Sequence, residues 1–133
     1  MKKITVVIPN YNGMKYLPEC MKSLCNGQKN APEYEVLIID NGSADESVEY
    51  LQTEWCGERV RLIDLKENTG FCHAVNLGIR EAQTPYVILL NNDTKVGSGF
   101  VRGLYDAICA DRKVFSVSAK MLMWDRPELI DDA

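Results

Sequence analysis

Residues 4–13, ITVVIPNYNG, decide the class of this chain. Thr5 to Ile8 form a short apolar run rich in β-branched residues, which reads as a buried strand, and Pro9 and Asn10 close it in front of a polar, glycine-containing turn. The run stops far short of a signal h-region or a membrane span. Similar runs recur at Glu35 to Ile39, Val60 to Asp64, Tyr86 to Leu90 and Phe115 to Ala119. Between them, Met14 to Cys25, Asp45 to Trp55, Phe71 to Ala82 and Gly99 to Asp111 carry apolar residues three or four apart, as helices with one face on a sheet do. Strand and helix in alternation predict an α/β fold with a Rossmann-like, mostly parallel sheet flanked by helices. Ser43 and Glu46 have capping-box spacing at the start of the second helix, and Thr84-Pro85 separates the third helix from the fourth strand.

The 133 residues are 46% apolar and 26% charged, enough for one domain with a core and too few for two. The net charge is -4 with Lys and Arg scattered, which removes the basic stripe a nucleic-acid partner requires. Without a leader or a transmembrane segment in this stretch, a cytoplasmic protein is expected, whose parent has room for a membrane association further on. The five cysteines, Cys20, Cys25, Cys56, Cys72 and Cys109, lack zinc-site spacing and are expected to be free thiols acting as small buried hydrophobes. The polar segment from Trp124 to Ala133 breaks off as it begins, so the domain reads as incomplete at its C-terminus.

In such a sheet ligands bind outside the carboxyl ends of the strands. Those ends carry Pro9-Asn10-Tyr11-Asn12-Gly13, Asp40-Asn41-Gly42-Ser43, Glu67-Asn68-Thr69-Gly70 and Asn91-Asn92-Asp93-Thr94. All four are polar and could meet in one crevice.

The segments VVIPNYNG, VLIIDNGSADES, ENTGFCHAVNLGI and YVILLNNDT, in that order, resemble the successive signatures of family 2 glycosyltransferases, which have the GT-A fold. The NND form of the last is similar to the rhamnosyltransferase-like branch that builds cell-surface polysaccharides. The resemblance covers most of the chain, which would then be the nucleotide-sugar-binding part, residues 1–133, with the acceptor-binding part absent. It implies a donor nucleotide, UDP- or dTDP-linked, held by Pro9, Tyr11, Asn12, Asp40, Asn41, Gly70, Asn76, Asn91 and Asn92. Tyr11 offers a ring to stack on the base, and Asp40 an acceptor for its imide N–H. Asn68 also resembles a position lining the donor site. Asp93 would hold Mg²⁺ or Mn²⁺, cations that prefer oxygen ligands. Two positions depart from the pattern: Val75 stands where many relatives have Arg, and Asn91 where many have the first acidic residue. His73 is the sole histidine and has no part in this scheme.

Each residue also has a plainer reading. Tyr11 can pack on the first helix, Asp40 can cap its own turn, Gly70 can permit a sharp helix entry, and Asn91 to Thr94 can form an Asx-type turn. The resemblance further implies an inverting displacement at the anomeric carbon, with metal at the leaving diphosphate and a carboxylate base at the acceptor hydroxyl. The acceptor would be a glycan or a lipid-linked saccharide. No match to the base's motif precedes Ala133; Glu128, Asp131 and Asp132 read equally as a solvated helix start. The stretch alone is therefore expected to be weakly active or inactive. A nucleotidyltransferase would need a glycine-rich basic loop after the first strand. A receiver-like signalling domain would need an acidic pair there and a lysine after the fifth strand, where Lys120 comes slightly late. A non-catalytic nucleotide-binding module remains a third reading, since fold does not certify turnover.

Overall fold

The computed structural model describes residues 1–114, 116 and 117. Eight elements alternate: β1 (Ile4–Asn10), α1 (Leu17–Cys25), β2 (Tyr34–Asp40), α2 (Ser47–Glu54), β3 (Val60–Asp64), α3 (Phe71–Glu81), β4 (Tyr86–Leu89) and α4 (Phe100–Cys109). The four strands form one sheet in the order β3-β2-β1-β4, every pair parallel. Of the expected fifth strand, Phe115 to Ala119, only Ser116 and Val117 are among the described residues, and the acidic residues Glu128, Asp131 and Asp132 lie outside them.

Both faces of β1 and β2 are covered, which is why these strands read as unbroken apolar runs and not as alternating ones. Ile4, Val6 and Ile8 join Val36 and Ile38 under Leu17, Met21 and Leu24 of α1, Leu51 of α2 and Val101 of α4. Val7, Leu37 and Ile39 face the opposite way, onto Ala74 of α3. Close approach of α3 depends on Gly78: a Cβ there would lie 2.3 Å from Val7 Cγ1.

The placement of the helices follows from handedness. Right-handed crossovers through α1 and α2 step the chain from β1 to β2 to β3 in one direction, with those helices on one face. The connection through α3 then returns past β1 on the other face to reach β4. Strand order therefore reverses between β1 and β4, creating a topological switch point at their carboxyl ends, where open α/β sheets bind ligands.

Three local expectations require correction. The first helix begins at Leu17 and not at Met14, because Gly13 O accepts from both Tyr16 N and Leu17 N in a turn that precedes it. Ser43 does not cap α2; the cap position is Glu46, without a side-chain bond, and Ser43 is committed to Asp40 instead. Of the cysteines, all free, only Cys20 is fully buried; Cys25 is half-buried, and Cys56, Cys72 and Cys109 are exposed at helix ends or in the turn after α2.

Candidate functional site

The loops after the strands are tied together by side-chain amides and one carboxylate. Asn10, the last residue of β1, is buried and donates from Nδ2 to Asp40 Oδ1 at 2.8 Å and to Ser43 Oγ at 3.3 Å. Its Oδ1 accepts from Asn92 Nδ2 at 2.6 Å. One residue thus bridges the first, second and fourth loops. The third joins through Asn41, buried, whose Oδ1 accepts from Thr69 N at 2.7 Å and whose Nδ2 donates to Gly70 O at 3.0 Å.

Asp40 sits beneath these loops with no exposed surface. Its carboxylate receives Ser43 N at 2.9 Å, Ser43 Oγ at 2.7 Å and the Asn10 amide. A carboxylate offers about four acceptor positions, so roughly one is not used by these donors. The turn-capping role anticipated as the plainer reading is thus present. Ser43 Oγ also accepts from Asn12 N at 2.8 Å, while Asn12 Oδ1 accepts from Ala44 N at 2.7 Å. Asn12 adopts a left-handed conformation, φ 51°, which asparagine tolerates better than most residues. Asp45 closes the same corner, accepting from Met14 N and Ser47 N, both at 3.0 Å. Burial works to raise the pKa of Asp45, but the hydrogen bonds from Ser47 and Met14 outweigh it and hold the carboxyl below its ordinary value.

Glycine matters at two places here. Gly42 has φ 81°, and a Cβ on it would lie 2.7 Å from Glu67 Cα, so the second loop rests directly on the backbone of the third. Gly70, φ 92°, meets nothing within 4 Å; its need is conformational, to turn the chain into α3.

What remains exposed around this scaffold is the chemistry available to a ligand. Tyr11 is 51% exposed, which leaves part of its ring open to a ligand. Asp93 and Asn91 are exposed on the fourth loop and Asn92 half-buried. Thr94 Oγ1 donates to Asn91 O at 2.7 Å, so the loop is closed by a threonine hydroxyl and not by the anticipated Asx-type bond, which leaves the Asp93 carboxylate outside the hydrogen bonding of that turn. Beneath the same loop, burial pushes the Cys20 thiol up to about 11, so it is a neutral packing group. Pro9, half-buried, holds the end of β1 against Ile39. Asn76 and His73 are exposed on α3, away from the interloop bonds. Asn68 accepts from Gly70 N and shapes its own loop.

Among the described residues, no three His, Cys, Asp or Glu side chains gather into a preformed metal cage. A single exposed carboxylate flanked by amide oxygens suits a hard cation that takes its other ligands from a diphosphate, and does not suit one held by protein alone. A separate groove of about 740 Å³ runs along the outer side of β4, lined by apolar residues such as Val75, Ile88, Leu104 and Ile108, and reaches Asn91 and Thr94 at one end. It adjoins the loop cluster without containing Tyr11, Asp40 or Asp93. No helix among the described residues is long and apolar enough to cross a membrane.

Asn10, Ser43 and Asp45 were not singled out from sequence for this site. Asn10 and Ser43 fell within the strand-end motifs, but nothing in their spacing distinguishes a bridging amide or hydroxyl from a turn residue.

The profile of glycosyl transferase family 2 matches residues 5–122. The teichoic acid poly(glycerol phosphate) polymerase of Staphylococcus epidermidis is 31% identical over 100 residues, 74% of this chain and 14% of that protein. Glycosyltransferase GlyG of Streptococcus pneumoniae is 30% identical over 106 residues, 79% of this chain and 35% of that one. This chain therefore spans well under half the length of either curated relative. Among solved structures, a Pyrobaculum calidifontis mannosyltransferase in complex with GDP-Man and Mn²⁺ superposes with a TM-score of 0.80 at 22% identity, covering 90% of this chain and 35% of that one. S. aureus TarS in complex with UDP-GlcNAc gives 0.72 at 20% identity, covering 90% and 38%. At these identities the two structures establish a shared GT-A architecture.

Proposed function

This chain belongs to glycosyl transferase family 2, and from that premise we propose that residues 1–133 form the part of a glycosyltransferase that binds a nucleoside-diphosphate sugar together with a divalent cation. The observation that carries the reading is the bonded chain Asn92–Asn10–Asp40, which joins three strand-end loops at the switch point between β1 and β4. In this reading Tyr11 stacks on the base, and Asp40 and Asn41 form the floor beside it, with the remaining acceptor position of Asp40 directed at a base N–H. Pro9, Asn12, Gly70 and Asn76 shape the surrounding wall. Asn91 and Asn92 border the ribose and diphosphate.

Asp93 would hold Mg²⁺ or Mn²⁺ jointly with the phosphates, and the ion would supply Lewis-acid stabilisation of the departing diphosphate. The protein's own contribution is orientation: amides fix the loops, and one carboxylate meets the charge. The mannosyltransferase complex with Mn²⁺ supports a divalent ion in this fold. UDP-GlcNAc in TarS and GDP-Man in the mannosyltransferase support a nucleotide sugar, with the base unassigned.

The transfer would be an inverting displacement onto a glycan or lipid-linked saccharide. In this reading the general base would come from beyond Ala133, and this stretch alone would turn over little, at the cytoplasmic side. A receiver domain would need an acidic pair after the first strand, where this chain has Pro9 and Asn10.

Calorimetry with UDP, dTDP and GDP, with and without Mn²⁺, tests the proposal. Mn²⁺ is expected to tighten binding of at least one nucleotide ten-fold or more, and Asp93→Ala to remove that gain. If no nucleotide binds and Asp93→Ala changes nothing, the reading fails.

A further inference from the structure

Asn10 has no ligand-binding role in the scheme above, yet both ends of its amide are in use within the protein. Its Nδ2 serves Asp40 at 2.8 Å, at the nucleoside end of the cleft, and its Oδ1 serves Asn92 at 2.6 Å, next to Asp93 at the metal end. Only a short side chain carrying donor and acceptor together can do this, and among the natural residues that reach this far an amide fits best. An ionised aspartate would present only acceptors to Asp40, and an aliphatic residue would offer neither bond.

A second observation is steric. A Cβ on Gly13 would lie 2.0 Å from Asn92 Nδ2 and 2.3 Å from Asn10 Oδ1. Gly13 is not among the glycines with positive φ, so the position requires glycine for space and not for conformation. The space is filled by the Asn10–Asn92 pair.

We propose that Asn10 is a positioning residue that couples the two ends of the donor cleft, with Gly13 leaving room for the Asn92 tether. The inference rests on the donor-site reading. Asn92 held by Asn10 keeps the following residue, Asp93, in place before the metal arrives. Released, the loop has to be ordered when the metal binds, and that ordering weakens only the metal-bound complex. Loss of one neutral hydrogen bond corresponds to a factor of about five.

The test measures UDP affinity by calorimetry with and without Mn²⁺ for the wild-type chain, Gly13→Ala, Asn92→Ala and Asn10→Ala. In Gly13→Ala, metal-free affinity is expected to stay within about two-fold of wild type, while the gain from Mn²⁺ falls about five-fold; in Asn92→Ala, which also removes a donor contact, the gain from Mn²⁺ is expected to fall by the same factor on top of any loss of metal-free affinity. Asn10→Ala is expected to lose both, because Asp40 also loses its amide donor. A merely structural role would lower thermal stability and leave the Mn²⁺ gain unchanged in all three variants, and that result overturns the proposal. If Gly13→Ala does not fold, Asn92→Ala on its half-buried loop decides alone. A wild-type chain that binds none of UDP, dTDP and GDP would instead remove the donor site itself, a distinct failure recognised before any variant is made.

Discussion

Replacing Asp40 with alanine separates what this carboxylate does for the fold from what it does for a ligand. Truncation leaves Ser43 N, Ser43 Oγ and Asn10 Nδ2 without their acceptor. Ser43 is half-buried, so water reaches it in part, while Asn10 keeps only its longer contact to Ser43 Oγ at 3.3 Å. Buried donors left unpaired cost about 1–3 kcal/mol each, so a loss of about 2–4 kcal/mol is expected. With an unfolding entropy of about 2.1 cal/mol/K per residue, that lowers Tm by about 7–14 °C in a chain of this length. Asp93→Ala, at an exposed position outside the turn's bonding, should move Tm by less than about 2 °C. Differential scanning calorimetry of the two variants beside wild type gives the comparison. Asp40→Asn should fall between them, since its Nδ2 would confront the Ser43 N–H that now donates to the carboxylate. An Asp40→Ala chain melting within about 3 °C of wild type would refute the claim that this carboxylate organises the loops.

The Asp45 carboxyl has a folded-state pKa below its ordinary value, so its charge contributes stability that is complete above the ordinary carboxylate range and disappears as pH falls through the lower folded value. Urea denaturation of wild type and Asp45→Asn should show a gap that is widest near neutrality and closes on acidification; a gap independent of pH would mean that the charge is irrelevant. Gly78→Ala should destabilise by about 1–3 kcal/mol despite alanine's helix preference, because the new methyl meets Val7 Cγ1 at 2.3 Å. Adding Val7→Ala should recover part of that loss beyond additivity in a double-mutant cycle, and strictly additive losses would place the clash elsewhere.

The succession of strands and helices was legible because burial on both faces makes β1 and β2 solid apolar runs, while each helix buries a single stripe. Val60–Asp64 was located to the residue, and the other described strands were read within two positions of their ends. The order β3-β2-β1-β4 was not legible, since pairing partners leave no periodic trace in one sequence. Helix starts were less readable than helix bodies. Ser43 and Glu46 have the spacing of a capping box, yet Asp40 lies three residues before Ser43 and claims its hydroxyl first. The exposed cysteines were misread because composition alone does not separate a thiol in the core from one at a helix end.

The missed centre of the site has a common cause. Sequence reading for metal and phosphate chemistry looks for charge, whereas the connections here are carried largely by asparagines 10, 12, 41 and 92. Between a buried carboxylate on one side and a loop carrying another carboxylate on the other, a connecting residue must donate to the first without adding negative charge near the second. A lysine would donate but cannot accept from Asn92, and a third carboxylate would repel Asp40. A neutral amide satisfies both neighbours and adds no charge between them. The residue that most constrains the cleft is therefore one whose chemistry, taken alone, looks like that of an ordinary turn.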